Sequence, residues 1–199
     1  MKIIFATGNA HKLREAQEIL GPGFELVSPG MMGCNEELPE HADTFEGNAR
    51  EKAQYLWDRF GLPCFADDSG LEVDALNGAP GVFSARFAGP GKNDQDNLDK
   101  LLHELRDVPE SDQDGKPLRT ARFRCVIALM LEGSCHLFHG TCEGTITTSP
   151  SGNGGFGYDP VFRPEGHSLN FSELTPEEKN RMSHRGNALR AMHQWLSQH

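Results

Sequence analysis

The chain has 199 residues, a length typical of one or two domains that bury a core without disulfides. Its composition, 37% hydrophobic and 24% charged residues, is that of an ordinary globular protein. The formal net charge of −10 argues against a general nucleic-acid or membrane-surface binder, because both need a basic face. A small anionic ligand held by a few cations and a metal ion stays compatible with this charge.

The cysteines and the apolar runs bear on the compartment. The five cysteines include no CxxC pair, so they predict neither a disulfide framework nor a zinc site. The longest apolar run, from Cys125 to Leu131, is too short to cross a bilayer. The apolar stretch in residues 2–6 is too short for a signal peptide. We therefore expect a cytoplasmic protein.

The chain opens with a short apolar strand pattern that ends at Thr7-Gly8-Asn9 and continues into a helical pattern. Such a turn directs backbone N–H groups at the positive end of the helix dipole toward one place, which suits a phosphate. Lys12, in the first helical turn, can reach the same anion. An ordinary strand-to-helix turn capped by Asn9 accounts for this segment equally well.

The rest of the first half alternates strand and helix patterns. In chain order, we predict a strand at 24–28, a loop at 29–44, a helix with an apolar stripe at 49–60, a strand at 63–66, a loop at 77–92 and a helix with a stripe at 98–105.

The second half is rich in strands. Two long strand patterns, residues 121–132 and 136–147, flank a hairpin signal at Glu132-Gly133-Ser134. The polar residues 107–119 before them predict a mobile loop.

Two helices are predicted at the C-terminal end of the chain. Thr175, Pro176 and Glu178 have the spacing of a capping box with proline at the first helical position. Ser183 is the predicted cap of the second helix. The whole pattern predicts an α/β fold on a mixed sheet, with two lobes and a cleft between them.

The acidic candidate is Asp67-Asp68-Ser69-Gly70, at the end of a predicted buried strand. Adjacent carboxylates repel each other, and a divalent cation relieves that repulsion. Mg²⁺ takes one or two carboxylates and leaves its other positions to water and phosphate oxygens. An aspartate-rich turn is the simpler interpretation, because Asp, Ser and Gly favour turns. The preceding acidic loop, with Glu36, Glu37 and Glu40, could add a ligand but is typical of a solvated surface.

A literal GxGxxG pattern occupies residues 152–157, but a dinucleotide site is not predicted. That fingerprint must leave a strand and open a helix, whereas Tyr158–Phe162 is not a helix start. We interpret the segment as a flexible loop whose backbone can approach a flat ligand, with Phe156 or Tyr158 available to stack on it. A long surface loop is the alternative.

The segment Ser183-His184-Arg185-Gly186, preceded by Lys179, places several donors around one helix start. Arginine offers planar donors, histidine a tunable donor or acceptor and lysine a point charge, which suit the carbonyl edge of a base or a phosphate. A capped helix start with exposed charges is the simpler interpretation.

Taken together and in order, these motifs resemble the noncanonical purine nucleoside triphosphate pyrophosphatases, that is, the inosine/xanthosine triphosphate pyrophosphatase (HAM1/RdgB-like) family. The resemblance covers nearly the whole chain. Its ordered blocks are Thr7–Lys12, Thr44–Ala53, Ala66–Leu71, Gly78–Phe87, Gly154–Pro160 and Ser183–Gly186.

The resemblance implies an elongated mixed β-sheet with flanking helices that form two lobes and a central cleft. It implies that residues 1–199 form one two-lobed domain and that the protein is a homodimer. The implied activity is Mg²⁺-dependent hydrolysis of dITP, ITP and XTP to the monophosphate and pyrophosphate, which cleanses the nucleotide pool.

The resemblance also implies roles for individual residues. The implied triphosphate contacts are Thr7, Gly8, Asn9, Ala10, His11, Lys12 and Lys52. The implied base-pocket residues are Phe156, Gly157, Tyr158, Asp159, Lys179, His184 and Arg185. Asp68 is implied as the catalytic carboxylate and metal ligand, with Asp67 beside it as a ligand and Ser69 as a substrate contact.

The chain departs from the family pattern in the acidic loop. Many relatives carry a Glu-Glu pair before the Thr-Phe block, whereas this chain has Pro39-Glu40. Glu40 is therefore our candidate for the second metal ligand, with Glu37 in reserve. The usual Glu-Asn-Ala also occurs here as Gly47-Asn48-Ala49.

Two other functions stay open at this point. A Maf-like pyrophosphatase has a similar architecture and a different base specificity, but Ser183–Arg185 and the Phe-Gly-Tyr loop favour a purine substrate. A nucleotide-binding regulator without turnover is the other alternative, and the pair Asp67-Asp68 together with Lys12 argues against it.

Overall fold

The computed structural model describes residues 1–198, except for the side chain of His11. The strands are β1 (Lys2–Phe5), β2 (Glu25–Val27), β3 (Cys64–Val73), β4 (Thr120–Leu131), β5 (Ser134–Ile146) and β6 (Phe162–Pro164). The helices are α1 (Ala10–Leu20), α2 (Phe45–Phe60), α3 (Asp94–Glu104), α4 (Pro176–Met182) and α5 (His184–Leu196). Short 3-10 turns lie at Gly30–Met32, Asp74–Leu76, Gly81–Arg86 and Phe171–Glu173.

The strands form one mixed sheet in the order β2-β1-β3-β4-β5-β6. β1 pairs in parallel with β2, where Ile3 lies opposite Leu26, and in parallel with β3, where Ile4 lies opposite Cys64. β6 pairs antiparallel with β5. The predicted α/β class with a mixed sheet and flanking helices is therefore confirmed.

The chain divides into two compact units, each with its own core. The first comprises residues 1–68, 125–140 and those from 184 onwards, and the second comprises 69–124 and 141–183. The first core includes Ile3, Phe5, Ala16, Leu20, Phe65, Cys125, Ile127, Leu189, Met192 and Leu196. The second core includes Leu71, Val73, Leu98, Leu101, Leu105, Phe123, Tyr158, Val161, Phe162 and Phe171.

Several local signals are confirmed. Thr175 accepts a hydrogen bond from the Glu178 amide at 3.2 Å, and the Glu178 carboxylate accepts one from the Thr175 amide at 2.9 Å, which completes the predicted capping box at α4. Glu132 and Gly133 have φ values of 51° and 78°, as the two-residue hairpin between β4 and β5 requires. In the part of the chain that the structure describes, no helix is long and apolar enough to cross a membrane.

The prediction for the acidic motif's secondary structure was wrong. Asp67, Asp68, Ser69 and Gly70 are part of the ten-residue strand β3 and do not form a turn after it. Asp, Ser and Gly favour turns locally, but the flanking apolar residues are buried in both cores and hold the segment extended. The sequence patterns also missed the three-residue strand β6, which is too short to show alternation.

The contact between β5 and α5 depends on Gly140. A Cβ atom at this position would lie 2.0 Å from the His184 carbonyl oxygen and 2.5 Å from the Ala188 amide nitrogen. Both are backbone atoms of a buried helix, so they can give way only if α5 moves.

We therefore expect Gly140→Ala to destabilise the protein by about 2 kcal/mol, as overpacking of a core does. Urea unfolding followed by circular dichroism measures this loss. Gly23→Ala is the matched control, because no atom lies within 4 Å of the added Cβ there, and a change within about 0.5 kcal/mol is expected. Equal losses in the two variants would contradict the argument.

Candidate active site

The N-terminus of α1 is capped as the sequence predicted. The Asn9 side-chain oxygen accepts from the Lys12 amide at 3.3 Å, and the Thr7 hydroxyl accepts from the Asn9 amide at 3.0 Å. Thr7 is buried, while Gly8, Asn9 and Ala10 are exposed. The exposed turn leaves room for an anion at this helix end. The predicted contact of His11 lies outside the described residues.

Asp67 is the centre of an ion-pair cluster in the first unit. Its side chain is 2% exposed. Lys12 Nζ lies 3.2 Å and 3.1 Å from its two carboxylate oxygens, and Arg185 Nε donates to Oδ2 at 2.9 Å. Arg185 is itself buried and also pairs with Glu15 at 3.5 Å. Side chains of α1 and α5, which are distant in sequence, thus both bind one carboxylate of β3.

Burial of Asp67 opposes its ionisation, but the charges of Lys12, Arg185 and Lys52 outweigh that effect and hold its pKa far below the ordinary range. Asp67 is therefore a resident anion that balances these cations. Its carboxylate oxygens already have cationic partners, and its assignment as a metal ligand stays a prediction.

Asp68 has a different environment. Asn48 donates to Asp68 Oδ2 at 3.0 Å. Burial raises the pKa of Asp68, and the charges of Glu40 and Asp67 raise it as well. The charge of Lys52 and the hydrogen bond from Asn48 lower it. The net result is a pKa above the ordinary value. Adjacent carboxylates are therefore shifted in opposite directions, which is the pattern expected when two groups have different chemical roles.

Lys52 connects the acidic loop to β3. Its ammonium donates to the Asp67 carbonyl oxygen at 2.7 Å and to Glu40 Oε1 at 2.6 Å. Burial of Lys52 lowers its pKa, but the negative charges of Asp67, Asp68 and Glu40 have a larger, opposite effect, so the pKa lies above its ordinary value. Lys52 is thus a buried cation that holds Glu40 near the aspartates.

Sequence reasoning missed the part played by Asn48. It lies one turn before Lys52 on α2, and its side-chain oxygen accepts from the Ala42 amide at 2.9 Å while its nitrogen holds Asp68. The sequence did contain a signal for this role. Asn48 and Lys52 are polar, lie four positions apart and share a helix face whose other residues are apolar and buried.

A metal site with three ligands is absent from the described residues, where no group of three His, Cys, Asp or Glu side chains could hold an ion. The carboxylates of Asp68 and Glu40 are therefore the donors to consider. Mg²⁺ needs only one or two protein carboxylates, so the finding is compatible with that ion.

The second unit contains the glycine-rich loop. Asp159 Oδ2 accepts from Lys179 Nζ at 2.6 Å and from the Phe156 amide at 2.8 Å. The Lys179 ammonium also lies 4.7 Å from the centroid of the Phe156 ring. Phe156 is 47% exposed, so its ring is accessible to a flat ligand.

The glycine-rich loop is tied down, in contrast to the flexible loop that was predicted. The Gly154 amide donates to the Ser172 carbonyl at 3.0 Å, and a Cβ atom on Gly154 would lie 2.8 Å from that oxygen. Tyr158 is 5% exposed, and its hydroxyl donates to the Ser84 carbonyl at 2.7 Å. Of the two rings proposed for stacking, only Phe156 is exposed.

The remaining candidates are placed as follows. Ser69 is half-buried on β3 in the second unit, and His184 is buried at the start of α5 in the first unit. The expectation that the Ser183–Gly186 charges are exposed was wrong for Arg185, which is 4% exposed because it pairs with Asp67. The base contacts assigned to Lys179, His184 and Arg185 stay predictions.

Comparison with known proteins identifies similar chains along nearly the full length. The family model described as the Ham1 family matches residues 3–195. A dITP/XTP pyrophosphatase of Porphyromonas gingivalis is 51% identical over 195 residues, which cover 98% of this chain and 97% of that protein. A dITP/XTP pyrophosphatase of Flavobacterium psychrophilum is 48% identical over 192 residues, which cover 96% and 97%.

Solved structures agree with these sequence matches. The structure of a HAM1 protein from Coxiella burnetii matches with a TM-score of 0.89 at 39% identity and covers 100% of both chains. The Staphylococcus aureus Ham1 protein matches with a TM-score of 0.89 at 34% identity and covers 100% of this chain and 99% of that one.

We expect Asp67→Asn to lower the free energy of unfolding by about 3 kcal/mol, because it removes the negative charge that Lys12 and the buried Arg185 share. The pKa of Asp67 is lowered on folding from its ordinary 3.8. Its contribution is therefore fully present above that value and is lost as the pH falls. The difference between wild type and variant should stay constant from about pH 5 to 8 and shrink below about pH 4.

Urea unfolding at a series of pH values measures this difference. Asp74→Asn is the control, because the side chain of Asp74, which pairs with Arg122, is 47% exposed. This substitution should lower the free energy of unfolding by less than about 1 kcal/mol. A loss in Asp67→Asn that is the same at low and neutral pH would mean that the charge of Asp67 is not its cause.

Proposed function

Because the chain belongs to the Ham1 family, we propose that it hydrolyses noncanonical purine nucleoside triphosphates, namely dITP, ITP and XTP, to the monophosphate and pyrophosphate. The names of the full-length relatives support this substrate class. The observation that carries the chemistry is the cluster of Lys12, Lys52 and Arg185 around Asp67, directly beside Asp68. The activity would remove altered purine triphosphates from the nucleotide pool.

The triphosphate contacts that we propose lie at the start of α1. The exposed residues Gly8, Asn9 and Ala10 lead into α1, whose N-terminal amides carry partial positive charge. Lys12 is 23% exposed, so its ammonium is accessible from solvent while Asp67 holds it in place. A phosphate oxygen can therefore bind Lys12 without a large rearrangement of its side chain. Lys52 is buried and acts on this site through Glu40 and Asp67.

The donors around Asp68 fit Mg²⁺. They are hard carboxylate oxygens, and burial together with the negative charges of Glu40 and Asp67 raises the pKa of Asp68, so a cation there would stabilise its ionised form. Asp68 would be the first ligand and Glu40 the second. Bound Mg²⁺ supplies neutralisation of the phosphate oxygens as negative charge develops on them.

The proposed reaction is attack of water on the α-phosphorus. A bond forms between the water oxygen and phosphorus, the bond to the bridging oxygen of the β-phosphate breaks, and pyrophosphate leaves with that electron pair. Asp68 orients the water and accepts its proton, which requires its carboxylate form. Asn48 fixes the orientation of Asp68 through its hydrogen bond to Oδ2, and Lys12 balances charge on the phosphate chain.

For the base, we propose the contacts that the family resemblance implies. The exposed Phe156 ring would stack on the purine. Lys179 and the residues His184 and Arg185 would supply donors to the 6-oxo group of hypoxanthine or xanthine. Adenine has an amino donor at that position and would leave those donors unpaired, which disfavours it. Contacts of Ser69, Gly157 and Asp159 complete the proposal.

Two further properties are proposed from the family resemblance. The protein would act as a homodimer, and Phe83, which is 55% exposed in the Gly78–Phe87 block, is an apolar side chain suited to a contact surface. A cytoplasmic location would fit both the five free cysteines and a substrate from the nucleotide pool.

The substrate class is tested by pyrophosphate release from ITP, dITP, XTP, GTP, ATP and dTTP, each with Mg²⁺ and with EDTA. We expect Mg²⁺-dependent turnover confined to ITP, dITP and XTP. Turnover mainly of dTTP would replace the proposal with a Maf-like activity. Nucleotide binding without turnover of any substrate would indicate a regulator.

The role of Asp68 is tested by Asp68→Asn, which keeps the size of the side chain and an acceptor for Asn48. We expect kcat for dITP to fall at least about 100-fold, as the loss of a general base does. Asp58→Asn is the control, since Asp58 is exposed on α2 and accepts a hydrogen bond from the exposed Gln54 side chain at 2.7 Å, and its kcat should be unchanged. Near-normal turnover in Asp68→Asn would remove Asp68 from this role.

A further inference from the structure

Ser84 is a buried polar residue outside every role assigned so far. It lies in the 3-10 turn Gly81–Arg86 and is 8% exposed. Its hydroxyl donates to the Gly81 carbonyl at 2.6 Å, which closes its own turn. The same hydroxyl oxygen accepts from the Leu71 amide at 2.9 Å. One side chain thus fixes the turn to strand β3.

The attachment point on β3 is close in sequence to the proposed chemistry. Leu71 follows Ser69 by two positions and Asp68 by three positions on the same strand. The Ser84 turn is therefore hydrogen-bonded to the strand that also carries these residues. Leu71 itself is fully buried in the core of the second unit.

The turn is attached to the glycine-rich loop by a second hydrogen bond. The Ser84 carbonyl oxygen accepts from the Tyr158 hydroxyl at 2.7 Å, and both groups are buried. Tyr158 lies two residues after Phe156, whose carbonyl accepts from the Asp159 amide at 3.2 Å. A shift of the Tyr158 ring would therefore move the tight turn that presents the Phe156 ring.

We propose that Ser84 is a positioning residue that sets the location of the glycine-rich loop, the proposed base site, relative to β3. In this proposal Tyr158 acts through its hydroxyl bond to Ser84 and does not contact the base. This inference rests on the proposed function for the identity of the ligand, a purine nucleoside triphosphate. The side chain of Ser84 is hydrogen-bonded to β3, and its carbonyl oxygen is hydrogen-bonded to Tyr158. The position of Tyr158 in turn sets the position of Phe156 in the same tight turn.

The arrangement separates base binding from triphosphate binding. Ser84 and Tyr158 belong to the second unit, whereas the α1 turn and Lys12 belong to the first. Loss of the Tyr158 hydroxyl should therefore weaken the contribution of the base to affinity and leave the contribution of the phosphates unchanged. A residue needed only for stability would weaken both contributions together.

The test compares the binding of dITP with that of inorganic tripolyphosphate, which has no base, by isothermal titration calorimetry in EDTA. We expect Tyr158→Phe to weaken dITP binding about fivefold, the range of one buried hydrogen bond, with the tripolyphosphate Kd unchanged. Ser84→Ala should act in the same direction. The double variant should be no worse than the more affected single variant, because both changes release the same turn.

Tyr55→Phe is the matched control, because Tyr55 is the other tyrosine of the chain and its hydroxyl bonds to the exposed Glu36 on the first unit. It should change neither Kd. Thermal unfolding of each variant shows whether it is folded at the assay temperature. An unchanged dITP Kd in Tyr158→Phe, or equal weakening of dITP and tripolyphosphate, would overturn the proposal.

Failure of the proposed function has a different signature. It would be seen in the wild-type protein, as absence of pyrophosphate release or as dITP binding no tighter than tripolyphosphate binding. Failure of the positioning role would be seen only in the comparison of variants with a wild type that hydrolyses and selects dITP.

Discussion

The constraint on which the first unit depends is the burial of an ionised carboxylate. Asp67 is 2% exposed, and a charge at such a position is tolerated only when cations and hydrogen bonds compensate for its lost hydration. Lys12 from α1 and Arg185 from α5 satisfy the carboxylate, while Lys52 from α2 binds its carbonyl oxygen. Three helices are thereby fixed to one residue of β3, and the ammonium of Lys12, which we propose as a phosphate contact, is held in place by the same carboxylate.

The same constraint separates the roles of the two adjacent aspartates. Successive side chains of a strand point to opposite faces, so Asp67 and Asp68 meet different surroundings although they are neighbours. Asp67 receives the cations and its pKa falls, while Asp68 receives partial burial and two nearby carboxylates and its pKa rises. One is suited to hold charge in place and the other to bind a metal ion or accept a proton.

The sequence predicted those features whose causes are local. The capping box at Thr175 and the hairpin at Glu132-Gly133 need only residues within a few positions, and both are present. The strand through Asp67–Gly70 was missed, because its residues favour turns and only pairing within the sheet holds them extended. The burial of Arg185 was equally inaccessible, since its counter-ion lies 118 positions away in the chain.

Long-range contacts of this kind also govern the glycine-rich loop, which we propose as the base-binding element. Its residues form a recognisable motif, but the groups that hold them lie far away in sequence: Ser84 is 74 positions from Tyr158, and Asp94 is 63 positions from Gly157, whose amide it binds at 3.0 Å. A motif identifies which groups meet a ligand, and the supporting residues determine where those groups are held. Relatives that share the loop sequence but differ at such supports should therefore differ in base preference more than in their handling of the triphosphate.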